Sequence, residues 1–436
     1  MRLKWTLMVL VVAGAFFGGG WLLRQARPSR PPSIPSIGAV PTRPAGSSLF
    51  QGVFQTVQSH AVDSLDLQAI YQRATTGLLS ELGDPYAAIV SGVDSGPVAR
   101  LGEAPVQGIF LDQAEGFVEV VAVIPGSPAD SAGVRPGDAV LAIDRTPINL
   151  QRAEEVGRLI DGSAGSTVRV RLGREAHEGP LWVTLTRGST PTQPPVVVDV
   201  LDPGVVRVKL ARIDSAAAAT ASRIIDSLAA TARAVVLDLR GVAEGTFGGA
   251  VALAEELLDD GSTIVTTRSR TGRDTMVHRD RITDRHPALA LAVLVDRSTA
   301  GPAELLAGAL QDHDRGIIIG EATYGRGSSQ SLFPLGTGSS LRLTTSLWVT
   351  PSGRVIQRMP VAEPSDGSPP DTAAIRPKFT TRGGRTVLGG GGIVPDREVP
   401  AEVEPSGATD PALALARSLI QGAKDRKALL AAVTAP

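Results

Sequence analysis

The chain contains no cysteine. That excludes disulfides, thiol catalysis and a lipid-bearing anchor cysteine, and it leaves the redox compartment open. Net charge is nearly absent as well. The 43 basic residues face 44 acidic ones, so there is no basic surplus with which to hold nucleic acid. The five histidines, His60, His177, His278, His286 and His313, are scattered without metal-ligand spacing, and neither a metal site nor a cofactor is expected. Aromatic residues make up 4 % of the chain against 48 glycines, a bias of composition that points to no function.

What is present begins with an address. Trp5 to Leu23, WTLMVLVVAGAFFGGGWLL, is uncharged over a length that can span a bilayer, with Arg2 and Lys4 before it and Arg24 and Arg27 after it. The run ends in Trp-Leu-Leu-Arg rather than in small residues suited to cleavage, so residues 1–24 are expected to form a transmembrane anchor or signal segment, with a retained anchor favoured over a cleaved one. A Pro/Ser-rich spacer without helical or strand period occupies 25–48. Helical periodicity marks the region 49–98, where Asp66 stands as a helix cap. Residues 99–190 alternate as a small β-domain with one amphipathic helix, LQRAEEVGRLIDG, which sets Val156, Leu159 and Ile160 on one face. From 191 to 400 strands such as ARAVVLDLRG and ALALAVLVD alternate with helices such as GPAELLAGALQDH. That order implies an α/β layer with functional groups at strand C-terminal ends. Residues 358–392 read as a Pro/Gly-rich loop, and 401–436 close the chain as a helical segment.

One stretch of the α/β region has the form of a catalytic mount. In DRSTAGPAE, Asp296 to Glu304, a buried strand passes through a tight turn into a helix, which is how a nucleophile is often presented. The centre of the turn is Gly301, a residue with no side chain.

The segment GSPADSAGVRPGDAVLAID resembles the PDZ domain of the carboxyl-terminal processing peptidases, or tail-specific proteases. LGDPYA precedes it, and VVLDLRG, AGALQDHDRGIIIGEATYGRGSSQ, LRLTTSLWVTPSGRVIQ and GGIVPD follow in that family's order, over roughly residues 49–425. The resemblance implies a ClpP/crotonase-like α/β core of layered sheet and helices, an inserted PDZ domain and N-terminal helices, behind a single N-terminal transmembrane anchor. It also implies a serine nucleophile and a lysine base that cut proteins near their C-termini. Such chemistry needs a hydroxyl to attack, a neutral amine to take its proton, and N–H groups to hold the oxyanion.

At the matching positions this chain departs from the pattern. Aligned on Glu304, the family serine falls on Gly301, and the lysine of the Gly-Glu-x-Thr stretch falls on Arg326. Glycine cannot attack, and arginine stays protonated and cannot act as the base. In the loop after the LDLR strand, Glu244 precedes Gly245 where the family pairs two glycines beside its oxyanion hole. Glu244 is expected either to pair with Arg326 or to face solvent. Gln330 matches the glutamine that supports the family's dyad, and Asp312 matches an acidic residue on the following helix; Asp312 and Glu304 are expected to brace that helix. A substitute nucleophile at Ser298 or Thr299, served by Asp312 and His313, is the alternative. It is disfavoured because adjacent helix residues point about 100° apart.

The PDZ-like region keeps its parts. By resemblance, Gly108, Ile109 and Phe110 in VQGIFL would hold a peptide carboxylate and pocket its last side chain, with Val156 and Ile160 on the helix side. The chain is therefore expected to be a membrane-anchored homologue that binds protein C-terminal tails without Ser/Lys peptidase activity, alone or beside an active relative. The alternative is an active serine-type endopeptidase with a rearranged nucleophile and base. The expected location is the bacterial inner membrane, with the body in the periplasm or extracytoplasmic space.

Overall fold

The computed structural model describes residues 45–434 apart from 63–65, 92–95, 98–105, 115, 150, 176, 273–274, 282–285, 337, 359–375 and 401–409. The expected anchor and most of the spacer thus lie outside the described residues. Among those described, no helix is long and apolar enough to cross a membrane. The chain divides into two compact units after Leu78. The first holds helix α1 (Ala45–His60) and most of α2 (Leu67–Ser80). Asp66 starts α2 by accepting the Ala69 N–H at 2.6 Å, and Phe54 packs on Tyr71 with ring centroids 4.7 Å apart.

The second unit opens with two short strands, β1 (Ala88–Ser91) and β2 (Gly96–Pro97). The small β-domain follows as β3 (Ile109–Gln113), β4 (Val118–Val123), the single turn α3 (Pro128–Ser131), β5 (Ala139–Ile143), β6 (Thr146–Pro147), α4 (Ala153–Ile160), β7 (Thr167–Gly173) and β8 (Leu181–Thr186). Its sheet runs β3-β4-β5-β7-β8 with β6 on β5, so β3 is an edge strand. Helix α4 buries Ala153, Val156 and Ile160 against this sheet. Leu159, expected on the same face, is 39 % exposed, because it is rotated about 100° from Ile160.

The rest of the chain contains β9 (Val196–Asp202), β10 (Val205–Leu210), α5 (Ser215–Leu228), β11 (Ala234–Asp238), α6 (Phe247–Glu255), β12 (Thr263–Ser269), β13 (Met276–Arg279), β14 (Ala290–Val295), α7 (Pro302–Asp312) and β15 (Ile317–Gly320). It is completed by β16 (Ser328–Pro334), β17 (Ser339–Val349), β18 (Lys378–Thr380), β19 (Thr386–Leu388), β20 (Arg397–Glu398), α8 (Pro411–Gly422) and α9 (Arg426–Thr434). The central sheet runs β20-β15-β14-β11-β10-β9, parallel from β10 to β20 with β9 antiparallel on the edge.

Strand β14 reads ALAVLV because both of its faces are covered. Leu291, Val293 and Val295 join one cluster with residues of α5, α6 and α7, while Ala290, Ala292 and Leu294 meet Ala412, Ala416 and Ile420 of α8. A second sheet, β13-β12-β17-β16-β2 with β1 on β17, flanks this layer. Sequence pattern did not mark β9, β13, β16 or β17. The stretch 358–392, read as loop, contains the antiparallel pair β18 and β19.

Candidate active site

The mount at the C-terminal end of β14 is built as the sequence suggests. Asp296 Oδ1 accepts the N–H groups of Gly241 and Ser298 at 3.1 and 3.0 Å, pinning the turn to the neighbouring loop. Thr299 Oγ1 lies 3.0 Å from both Asp296 Oδ1 and Leu239 O, and Thr299 is fully buried. Its hydroxyl is committed to the local backbone and a carboxylate, and no amine or imidazole bonds to it. Gly301 then starts α7 at φ +61° and ψ −117°, a backbone region in which an L side chain is strained. At its other end α7 gives no triad. Asp312 binds Arg354 and the Ser352 N–H, while His313 Nε2 faces Thr263 O at 2.7 Å.

One buried carboxylate ties the two altered positions together. Glu304, 0 % exposed, accepts the N–H groups of Gly301 and Arg326 on one oxygen, at 2.9 and 2.7 Å. Its other oxygen accepts the Gly325 N–H at 2.7 Å and the Thr323 hydroxyl. Burial pushes this carboxyl up to about 7, against the pull of its four donors. The backbones of positions 301 and 326 are therefore held to the same carboxylate oxygen.

Of the two alternatives for Glu244, pairing with Arg326 is not the one observed. The Arg326 Nε donates to Asp112 Oδ2 at 2.7 Å, and Nη2 lies 2.7 Å from the same oxygen, off the hydrogen-bond axis. Both side chains are nearly dry, at 3 % and 6 % exposure. Burial opposes the charge on Arg326, yet Asp112 beside it holds the guanidinium firmly protonated. Tyr86 adds a hydroxyl to the same Asp112 oxygen at 3.1 Å, and the Tyr324 ring lies 5.6 Å from the Arg326 guanidinium. Sequence reasoning overlooked Asp112. Its signal was an acid two residues after Phe110, on the same side of a strand that opens Ile-Phe-Leu.

Glu244 is partly exposed, and its backbone carbonyl accepts the Ile213 N–H at 3.0 Å. Gly245 is required where it stands, since a Cβ there would come 2.6 Å from Ile213 O. The Ala300 N–H reaches Val242 O at 2.9 Å, which laces this loop to the turn. Gln330 is retained, but its amide faces Ser328 Oγ at 3.1 Å rather than Arg326.

In the small β-domain, Gln107 and Gly108 both have positive φ, 53° and 88°. They form a two-residue turn closed by the N–H groups of Val106 and Ile109 on each other's carbonyls, at 3.0 and 2.9 Å. A Cβ on Gly108 would meet Ser127 Cβ at 2.2 Å. The Ile109 N–H, expected to hold a carboxylate, is thus already used within the loop. Ile109, Val156 and Ile160 pack in the domain's own core. Phe110 faces the other way, in a cluster with Val121, Ala122, Ala243, Ala300 and Tyr324. Its side chain covers the Gly301 turn instead of lining a groove beside α4. A separate cleft of about 440 Å³ lies at the N-terminal ends of β11 and β14, away from the turn, where Arg233 is bonded to Ile420 O.

Residues 204–366 match the model of peptidase family S41, and 119–174 match that of a PDZ domain. The chain is 31 % identical over 313 residues to a carboxy-terminal-processing protease of Bartonella bacilliformis, covering 71 % of this chain and 72 % of that one. It is likewise 31 % identical over 319 residues to the chloroplastic C-terminal processing peptidase of Tetradesmus obliquus, covering 69 % and 68 %. Among solved structures, a photosystem II D1 C-terminal processing protease superposes with a TM-score of 0.60 at 26 % identity, over 83 % of this chain and 95 % of that one.

Proposed function

Since the chain belongs to the carboxyl-terminal processing protease family, peptidase family S41 with a PDZ domain, we propose that it is a member without peptidase activity that binds protein C-terminal tails. One observation carries the first half. Gly301 and Arg326 occupy the nucleophile and base positions of a framework whose brace, Glu304, is otherwise complete. No hydroxyl stands at the turn's tip, and a guanidinium beside Asp112 gives up no proton. Support for the second half is the PDZ domain itself and its edge strand β3, the element to which a peptide would add by strand addition. The uncharged run from Trp5 to Leu23 supports an anchor in the bacterial inner membrane, with the body on the extracytoplasmic side. An active relative is a fitting partner.

A serine-directed fluorophosphonate probe tests the first half. The full-length protein is expected to stay unlabelled and to leave an unstructured tailed substrate intact; label mapped to Ser298 or Thr299, with cleavage lost in Ser298→Ala or Thr299→Ala, would overturn it. The second half is tested by titrating peptides as free acids and as C-terminal amides. Weaker binding of the amide is expected, and equal affinity or no binding would reject carboxylate capture.

A further inference from the structure

The arginine at the base position has no use in proteolysis, yet it is among the most buried cations of the molecule. We infer that Arg326 is an interdomain clamp: with Asp112 it fastens the PDZ domain over the Gly301 turn and keeps that turn closed.

Strand β3 is the part of the PDZ domain that does this. Its alternation sends Ile109 and Leu111 into the PDZ core, and Phe110 and Asp112 toward the α/β layer. Phe110 supplies an apolar cover, packed with Ala300 and Tyr324 of the layer. Asp112 supplies the charge, bound to Arg326 and to Tyr86. Two ions this dry are costly unless they remain together. Asp112 belongs to one domain and Arg326 to the other, so neither domain holds both charges of the pair. Removing either partner leaves the other buried and unpaired at the closed joint, a cost relieved only when the domains part and water reaches it.

The change from lysine to arginine fits this role. A guanidinium offers two nitrogens to one carboxylate and keeps its charge when buried, whereas an amine offers a point charge that burial readily neutralises. A second strut, Arg342 to Glu154 of α4, also joins the domains, but its side chains are 19 % and 22 % exposed and partly solvated charges contribute little. The inference rests on contacts alone and holds whether or not the PDZ domain binds tails.

The absence of cysteine provides a clean test. Ala243→Cys places a single thiol in the cluster under Phe110, at a position 2 % exposed. Ala292→Cys places one in the central sheet, remote from the PDZ domain and 0 % exposed. Labelling by a small maleimide is followed for each reporter in the full-length protein, alone and with Asp112→Asn, Arg326→Met or Glu154→Gln. The clamp requires labelling at position 243 to accelerate about 30-fold or more with Asp112→Asn and with Arg326→Met, corresponding to loss of about 2 kcal/mol or more of closure. Arg326→Lys should fall between, and Glu154→Gln should change little. Unchanged labelling at 243 in both clamp variants would overturn the inference. So would equal acceleration at 243 and 292, since the pair would then stabilise the whole fold instead of the closed arrangement.

Discussion

Restoring serine and lysine to this site should not restore cleavage, and the obstacle is Asp112. In a Gly301→Ser/Arg326→Lys variant the amine occupies space in which the guanidinium nitrogens now lie 2.7 Å from Asp112 Oδ2. A carboxylate at that range raises a lysine pKa by about 1–3 units above its ordinary value of about 10.4. At pH 8 the neutral fraction then falls from about 0.4 % to between about 0.04 % and 0.0004 %, and only the neutral amine takes a proton from serine. Adding Asp112→Asn removes the carboxylate and leaves burial, which acts in the opposite direction and favours the neutral amine. The triple variant should therefore react with a fluorophosphonate about 10–1000 times faster than the double variant, with the gap narrowing as pH rises toward 10. Gel-based labelling at pH 6–10, with cleavage of a tailed substrate alongside, reads this directly. A double variant as reactive as the triple one would refute the reasoning, because Asp112 would then exert no hold on the amine.

Gly301→Ala should lower stability by about 1–3 kcal/mol in urea denaturation, the cost of an L residue in a disfavoured backbone region; an unchanged midpoint would mean the turn relaxes freely. Gly108→Ala, whose Cβ would stand 2.2 Å from Ser127 Cβ, should cost about 2 kcal/mol or more through strain and overpacking, read in the same way. Glu304→Gln turns an amide NH₂ toward two of the four donors, at about 1–3 kcal/mol for each one left unsatisfied, visible as a fall in Tm. Its pH dependence has a definite sign. Burial raises the folded Glu304 pKa from 4.5 to about 7, so the folded protein holds a proton that the unfolded chain has already released. That contribution is complete below 4.5 and is lost as pH rises through 7. The stability advantage of wild type over Glu304→Gln should shrink across this window and level off above it, whereas an advantage that grows with pH would show that the hydrogen bonds outweigh burial.

Much of the central layer was legible because its strands and helices carry strong patterns. Ala290–Val295 is apolar on both faces since helices cover both, and so short a run between Pro287 and the Asp296 turn reads as a buried strand. Asp66 announced α2 for a local reason, its carboxylate taking the Ala69 N–H. Strands β16 and β17 were not marked because their burial is mixed; Ser328 to Pro334 and Ser339 to Val349 hold serines and threonines satisfied across the sheet, as between Ser331 and Thr345. The positions of the site were equally local, since motif spacing put Gly301, Glu304 and Arg326 in register and the brace confirms their proximity. Side-chain partners were another matter. Glu244 is near Arg326 in motif order, yet Arg326 pairs with a residue 214 positions away. No periodicity within either segment specifies a contact at that separation.

That long-range pair also alters how the sequence changes at the site should be weighed. Taken singly, Gly301 reads as a lost nucleophile and Arg326 as a lost base, two defects that would each suffice. The geometry separates them. Gly301 lies in a turn pinned by Asp296 and capped by Glu304, a mount with no side chain at its tip. Arg326 has a partner of opposite charge, buried with it at the joint of two domains. Loss of a base requires no such partner, since many uncharged residues would abolish catalysis at that position without needing one. A buried cation, by contrast, is tolerated where a carboxylate meets it, and Asp112 lies on β3, a PDZ strand that faces the turn. Arginine at 326 and aspartate at 112 are thus best understood as one feature, and the two should be substituted together in any attempt to return this site to chemistry.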